Sequence, residues 1–248
     1  MKTVVDYEAL SAAITAHFRP GVDTNCTLKA DALRREIAAK RLQLHQWAGG
    51  LLLLRERDSH QILNYYRTDR AVDPDLRLPA HTVVEIPLRP GKEAELPWWE
   101  RQGFRVAERR LRLTRPAFGS AAQTAETCKA DAQWAMELLH TCFSPETGCL
   151  PAPEELAADI RENRLLAWDD LGLLRFDNGR VAEIRHLAVA PSARGNGIGT
   201  ALLEQFNRIT ADRTARVWTG LENQTARRLY EKAGFAADGW QSLVLIKD

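Results

Sequence analysis

Residues 186–206 read HLAVAPSARGNGIGTALLEQF, and the fold turns on how this stretch is parsed. Upstream, Val181 to Val189 is a mostly apolar run that suits a strand in a buried sheet. Downstream, Ile198, Leu202, Phe206 and Ile209 recur at helical spacing, so an amphipathic helix begins inside the glycine cluster. Strand, glycine turn and helix together aim several backbone N–H groups at one anion. Glycine reaches φ/ψ closed to other residues, and a helix N-terminus adds unpaired donors and the positive end of a dipole. Arg194 places a permanent charge beside them. The stretch Arg194-Gly195-Asn196-Gly197-Ile198-Gly199 therefore reads as a pyrophosphate cradle, although the same glycines would also serve a plain strand-to-helix turn.

Two common phosphate motifs do not fit. A dinucleotide fold needs G-x-G-x-x-G and an acidic residue about 20 positions on, whereas here the order is G-x-G-x-G after an arginine. A P-loop needs G-K-[ST], which is absent. A second signal lies downstream, in LENQTARRLYEKAGF at 221–235, with Asn223, Ala226, Leu229, Tyr230, Gly234 and Phe235.

The two segments together resemble the acetyl-CoA-binding motifs of the GNAT superfamily of N-acetyltransferases. The first matches R/Q-x-x-G-x-G/A and the second N-x-x-A-x-x-x-Y-x-x-x-G-F. The resemblance covers about the last half of the chain. It implies a splayed central sheet with acetyl-CoA, as co-substrate, lying between two diverging strands and its phosphates on the glycine loop. Residues Leu187, Ala188, Val189, Arg194, Gly195, Asn196, Gly197, Ile198, Gly199, Thr200, Asn223, Ala226 and Tyr230 would then line its site.

Acyl transfer to an amine needs a proton acceptor, donors for the oxyanion and a proton for the departing thiolate. The resemblance gives the last task to Tyr230, whose ordinary phenol is a ready donor; the alternative is a core tyrosine on the face of Ala226 and Ala233. The resemblance also implies backbone N–H groups of Leu187 to Val189 as the oxyanion candidates, because in the family this strand pulls away from its neighbour. Asn223 would bond the carrier's arm or cap its own helix, and the two roles are compatible. Where several members of that family place a catalytic glutamate stands Glu183, the candidate base acting directly or through water, with His186 as rival. Strand alternation places 183, 185, 187 and 189 on one face and 186 on the other, unless a bulge intervenes.

The rest of the chain sets limits. Its 248 residues suit two small domains, and 45% hydrophobic content is ample for their cores. With 34 basic against 33 acidic residues the net charge is +1, which gives no electrostatic case for nucleic acid or a membrane surface. The start, MKTVVDYEAL, lacks a signal-peptide core, and no run of about 18 apolar residues exists; the expectation is a cytoplasmic protein, monomer or homodimer. Cys26, Cys128, Cys142 and Cys149 show no C-x-x-C spacing or histidine grouping, so reduced thiols and no metal site are expected.

The front half repeats the back half. ADALRREIAAKRL at 30–42 lines up with PEELAADIRENRL at 153–165, Trp47 falls near Trp168, and Trp99-Glu100-Arg101-Gln102-Gly103-Phe104 answers Tyr230-Glu231-Lys232-Ala233-Gly234-Phe235. The expected architecture is α+β: two GNAT-like domains in tandem, each a mixed, mainly antiparallel sheet flanked by helices. The expected boundaries are 1–115, a linker at 116–124 with Pro116, Gly119 and Ser120, and 125–248. In the front copy only Arg89 to Pro97 follows the Thr82–Leu88 strand, with no Arg-x-x-Gly-x-Gly, and Trp99 stands at the tyrosine position. That copy is therefore expected to be degenerate and to bind no acetyl-CoA.

The expected function is direct transfer of an acetyl group to a primary amine of a small molecule or peptide. Glu146, Glu154, Glu155 and Asp159 suggest an acidic rim for a cationic acceptor. The alternatives are a non-catalytic acyl-CoA-binding or sensing protein, or a transferase of a larger acyl or aminoacyl group.

Overall fold

The computed structural model describes residues 1–20, 22–69, 77–120 and 131–248. The chain divides into two compact units: 1–88 with 93–108 and 243–248, and 89–92 with 109–242. Each holds a mixed sheet with helices against it.

The first unit starts with β1 (Lys2–Thr3), α1 (Tyr7–His17), the two-residue β2 (Asp23–Thr24) and α2 (Ala30–Ala38). Then come β3 (Leu42–Trp47), β4 (Gly50–Glu56), β5 (Gln61–Arg67), β6 (Thr82–Leu88), α3 (Leu96–Arg101) and β7 (Phe104–Arg115). The order within its sheet is β1-β3-β4-β5-β6, continued by the end of the last strand and the start of β7. Leu52, Leu54, Val84, Trp99 and Leu243 form one core and Leu10, Leu33, Leu42 and Leu53 another, because alternate strand residues point to opposite faces.

The second unit carries α4 (Ala132–Cys142), α5 (Pro153–Arg161), β8 (Leu165–Trp168), β9 (Gly172–Asn178) and β10 (Ala182–Val189). These are followed by α6 (Ile198–Ile209), β11 (Ala215–Gly220), α7 (Gln224–Lys232) and β12 (Ala236–Lys247). Its sheet order is β7-β11-β10-β9-β8, with residues 110–115 of β7 antiparallel to β11. Parallel pairing joins β5 to β6 and β10 to β11, while β1–β3, β2–β5, β3–β4, β4–β5, β7–β11, β8–β9 and β9–β10 are antiparallel.

Unit membership follows strand pairing rather than chain order, so no single cut near 116–124 separates the units. β7 enters the second unit at Arg109, and Leu243 to Asp248 belong to the first. Of the expected linker, residues 121–124 lie outside the described residues, as does Cys128. No helix among the described residues is long and apolar enough to cross a membrane.

The repeat read from the sequence has a physical counterpart in a buried ion-pair clasp. Glu36 of α2 is 1% exposed and bonds Arg41 at 3.2 Å and Arg57 at 2.6 Å, with Arg55 at 3.6 Å. Asp159 of α5, 4% exposed, bonds Arg164 and Arg175, each at 2.5 Å. Arg55 lies opposite Leu42 in its hairpin and Arg175 lies opposite Leu165 in the other, so register makes the two arginines equivalent.

The position of the missing crossover needs correcting. Both units hold a parallel pair of three registered residues, Gln61–Leu63 with Thr82–Val84 and Ala182–Ile184 with Ala215–Val217. The segment answering the glycine loop and its helix is therefore 68–81, between β5 and β6, and not Arg89–Pro97. Periodicity alone does not say which two strands run parallel; residues 70–76 lie outside the described residues.

Candidate active site

The site is built on β10, whose edge toward β11 is paired only at its start. The parallel ladder ends at Ile184 opposite Val217, while β10 runs on to Val189 and β11 to Gly220. On its other edge β10 stays paired with β9 as far as Val189 opposite Gly172. The two strands thus part from a common base, and among the described residues no strand joins the open edge. Leu187, Ala188 and Val189 all lie on this splayed stretch.

Past Val189 a short 3-10 turn, Pro191–Ala193, leads to Arg194, whose Nε–H donates to Val189 O at 3.2 Å. Gly195 and Gly197 have φ of +83° and +80°, and a Cβ on either would meet nothing within 4 Å. Conformation, then, and not crowding is what requires glycine there. The first intrahelical bond of α6 runs from Ala201 N–H to Gly197 O at 3.0 Å, so the amides of Ile198, Gly199 and Thr200 precede the helical ladder. Ile198, Leu202, Leu203 and Phe206 bury the other face of the helix, with Phe206 edge-on to Phe176 at 5.3 Å. Gly172 makes room for this seat, since a Cβ there would lie 2.7 Å from Ile198 Cγ2. The motif search could not single out Gly172, because its need arises from a helix 26 positions later.

Asn223 caps α7, accepting from Ala226 N–H at 3.0 Å through Oδ1. The helix carries Tyr230 into the same core as α6, 5% exposed and edge-on to Phe235 at 5.8 Å. Burial pushes its phenol well above the ordinary tyrosine value, so the group holds its proton through the neutral range. Leu187, Val189, Ile198, Ala226 and Tyr230 thus share one hydrophobic cluster within the second unit.

Glu183 and His186 are arranged differently from the alternation argument. The register of β10 on β9 shifts between Ile184 and His186, leaving Arg185 as an extra residue. Before the bulge Ala182 and Ile184 face the core of α6; after it Leu187 and Val189 do. Glu183, His186 and Ala188 consequently share the opposite face. Glu183 is 5% exposed, and both its oxygens are taken: Arg185 Nη1 donates to Oε1 at 2.7 Å, and Arg216 Nε donates to Oε2. His186 is 3% exposed, donates through Nε2 to Gly148 O at 2.8 Å, and packs edge-on to Phe143 at 5.1 Å. Burial first, then Arg175, Arg185 and Arg110, lower its pKa to about 4 against the Gly148 bond, so the ring is neutral at pH 7. Its Nδ1 is buried without a hydrogen-bond partner.

The expected acidic rim is not a cluster of free carboxylates. Asp159 is locked in its clasp, and Glu155 accepts from Ala152 N–H at 3.1 Å at the start of α5. The same sheet face instead bears arginines and tryptophans. Arg110 donates to Thr147 O, and Arg112 bonds Asp238 at 2.7 Å between the rings of Trp240 and Trp218, 4.6 and 5.6 Å away. Sequence reasoning missed this group because its members come from β7, β11 and β12, far apart in the chain. Cys26 and Cys142 are half-buried and Cys149 is exposed. Among the described residues no group of three His, Cys, Asp or Glu side chains is placed to hold a metal.

Comparison with known proteins bears on the same segment. Residues 162–237 match the family model described as an acetyltransferase (GNAT) domain. An uncharacterized N-acetyltransferase of Methanocaldococcus jannaschii is 33% identical over 86 residues, covering 32% of this chain and 38% of that protein. One from Archaeoglobus fulgidus is 40% identical over 58 residues, 22% of this chain and 40% of its own length. The match thus spans well under half of each curated relative. Among solved structures, an acetyltransferase of the GNAT family from Colwellia psychrerythraea superposes with a TM-score of 0.54 at 15% identity, over 99% of this chain and 98% of its own. A GCN5-related N-acetyltransferase from Sphaerobacter thermophilus gives 0.52 at 17% identity over 96% and 90%. At these identities the likeness is one of fold.

Proposed function

We propose that this chain is an N-acetyltransferase that moves an acetyl group from acetyl-CoA directly to a primary amine, a reading supported by the match of residues 162–237 to the acetyltransferase (GNAT) domain model. The observation that carries this reading is the parting of β10 from β11 beside the free amides of α6. A carrier whose narrow arm is joined to a diphosphate fits that pair of features: amides 198–200, Gly195, Asn196 and Gly197 would hold the phosphates with Arg194, and the arm would take the open edge at Leu187–Val189.

When bound, acetyl-CoA supplies the activated acyl group as a thioester. The chain's own residues do the rest. Tyr230, protonated and desolvated, donates to the leaving sulfur. Backbone N–H groups on the open edge of β10 face the carbonyl oxygen as it gains charge. Asn223 holds the start of α7, which keeps Tyr230 in register. Glu183, proposed as base, acts through water, because both its oxygens already accept from guanidinium groups.

The acceptor is read as an amine of a small molecule or peptide. Arg110, Arg112, Arg185 and Arg216 on the face opposite α6 favour one that also bears an anionic group. Release of CoA thiol by the purified chain, followed across a panel of amines, thiols and alcohols, tests this. Turnover is expected with amines; release with thiols or alcohols alone overturns it.

A further inference from the structure

The first unit has the same splay as the second, and something lies in it. Its parallel ladder stops at Leu63 opposite Val84, while β5 continues to Arg67 and β6 to Leu88. The other edge of β5 is filled by β4 along its whole length, from Glu56 opposite Gln61 to Gly50 opposite Arg67. β2 therefore has only the β6 side available when it pairs antiparallel with the end of β5, Asp23 opposite Arg67 and Thr24 opposite Tyr66.

The next residue closes the gap. Asn25 donates through Nδ2 to Leu63 O at 2.9 Å and to Glu85 O at 3.0 Å, and accepts from Tyr65 N–H at 2.8 Å through Oδ1. One carboxamide thus satisfies backbone groups of both diverging strands, immediately beyond their last registered pair. Thr24 Oγ1 donates to Tyr65 O at 2.5 Å and accepts from Cys26 N–H at 3.0 Å, which holds the segment in its turn. Asp23 is anchored by the Tyr65 hydroxyl at 3.3 Å and Arg67 at 3.4 Å. Buried backbone groups left open by a splay need partners, and here the chain supplies them itself.

We propose that residues 23–26 are a built-in occupant of the first unit's cleft, standing where the second unit takes the arm of acetyl-CoA. This rests on the proposed function for what the second cleft binds. The first unit is then a sealed copy, and the chain takes one carrier per molecule. The Asn25 carboxamide has the donor and acceptor of an amide linkage, so it replaces in kind what an amide-bearing arm would offer. Sealing also explains why a unit with such a splay keeps its strands together without a ligand.

Titration calorimetry and amide hydrogen exchange on the full chain test the proposal together. Calorimetry with acetyl-CoA is expected to give one site, and two sites overturn the proposal. Absence of any binding would sink the proposed function, and the sealing is then judged on exchange alone. Without ligand, the amides of Tyr65 and Cys26 are expected to exchange at least a hundredfold more slowly than an open loop; exchange at the loop rate overturns the proposal. Added acetyl-CoA is expected to slow exchange at 187–200 and leave 23–26 and 61–67 unchanged, whereas new protection at 61–67 counts against it. Asn25→Ala is expected to speed exchange at Tyr65 more than tenfold, and no change overturns it. Should that variant fail to fold, Thr24→Val is expected to free the Cys26 amide alone.

Discussion

The two units hold the same scaffold and differ in what enters the splay. Each has two helices ahead of a hairpin, a carboxylate–arginine clasp at the start of that hairpin, and a short parallel ladder followed by diverging strands. In the second unit the crossover spans 190–214 and supplies a glycine turn and a twelve-residue helix, with the open edge beside them. In the first it spans only 68–81, and residues 23–26 lie along the edge. A parallel pair needs a crossover of about a dozen residues or more, so the short one suffices to connect strands. It leaves little chain for a phosphate loop and helix together. The scaffold is thus separable from the binding function, and one asparagine carries much of the difference.

The clasp offers the largest expected effect. Removing the carboxylate by Glu36→Gln or Asp159→Asn leaves arginines buried without their counter-charge, at a cost of about 3–5 kcal/mol each. Urea melts of both variants are the measurement, and unequal losses beyond a factor of two would break the equivalence of the units. For Glu36 burial alone would raise the pKa, but Arg57, Arg55 and Arg41 together hold it below the usual glutamate value. Its contribution is therefore present above the unfolded value of about 4.3 and fades as pH falls through the lower folded value. Glu36→Gln should flatten the stability curve in that acid range.

His186 gives the second unit a different acid window. Its folded pKa of about 4 lies below the ordinary histidine value of about 6.5. The unfolded state binds the proton first, so stability is complete above about pH 6.5 and declines on the way down to about 4, by roughly 3 kcal/mol. His186→Leu should abolish that slope without lowering the melting temperature at pH 7, because it removes a buried Nδ1 that lacks a partner. A large loss of stability at pH 7 would show that the histidine is held by something more than the Gly148 bond.

Catalysis separates the units next. Tyr230→Phe is expected to lower kcat about a hundredfold, some 2.7 kcal/mol of barrier, with acetyl-CoA affinity unchanged. Trp99→Phe, at the corresponding place in the first unit, is expected to leave kcat where it was. Equal losses in the two variants would undo the assignment of the active site to one unit. The smallest effect is at the loop. Arg194 is exposed and, among the described residues, bonds Val189 O and the Cys142 sulfur. Arg194→Ala should weaken acetyl-CoA about tenfold, near 1.4 kcal/mol, at constant melting temperature. Calorimetry checks it, and an unchanged Kd removes Arg194 from the phosphate site.

Much of the second unit was legible because its signals are local. The strand ending at Val189 and the helix running on to Ile209 were legible from their spacing, and Gly195 and Gly197 hold the positive φ that glycine favours. Tyr230 was singled out by the motif that carries the resemblance, and the structure adds its burial. The face on which Glu183 lies was misread, because one bulged residue, Arg185, reverses parity and nothing in the local sequence announces it.

What the amino-acid sequence determined by itself is the content of each element: apolar stripes, glycine turns, caps and the repeated helix with its acid and arginine. Those depend on neighbours within a few positions, where spacing fixes direction. Only the tertiary structure decided which strands run side by side, that strand pairing and not chain order bounds the units, and that Asn25 lies in a cleft formed by residues 38 and 60 positions away. Hydrogen-bonding between distant strands sets these, and a two-residue strand such as Asp23–Thr24 has no period of its own to reveal it.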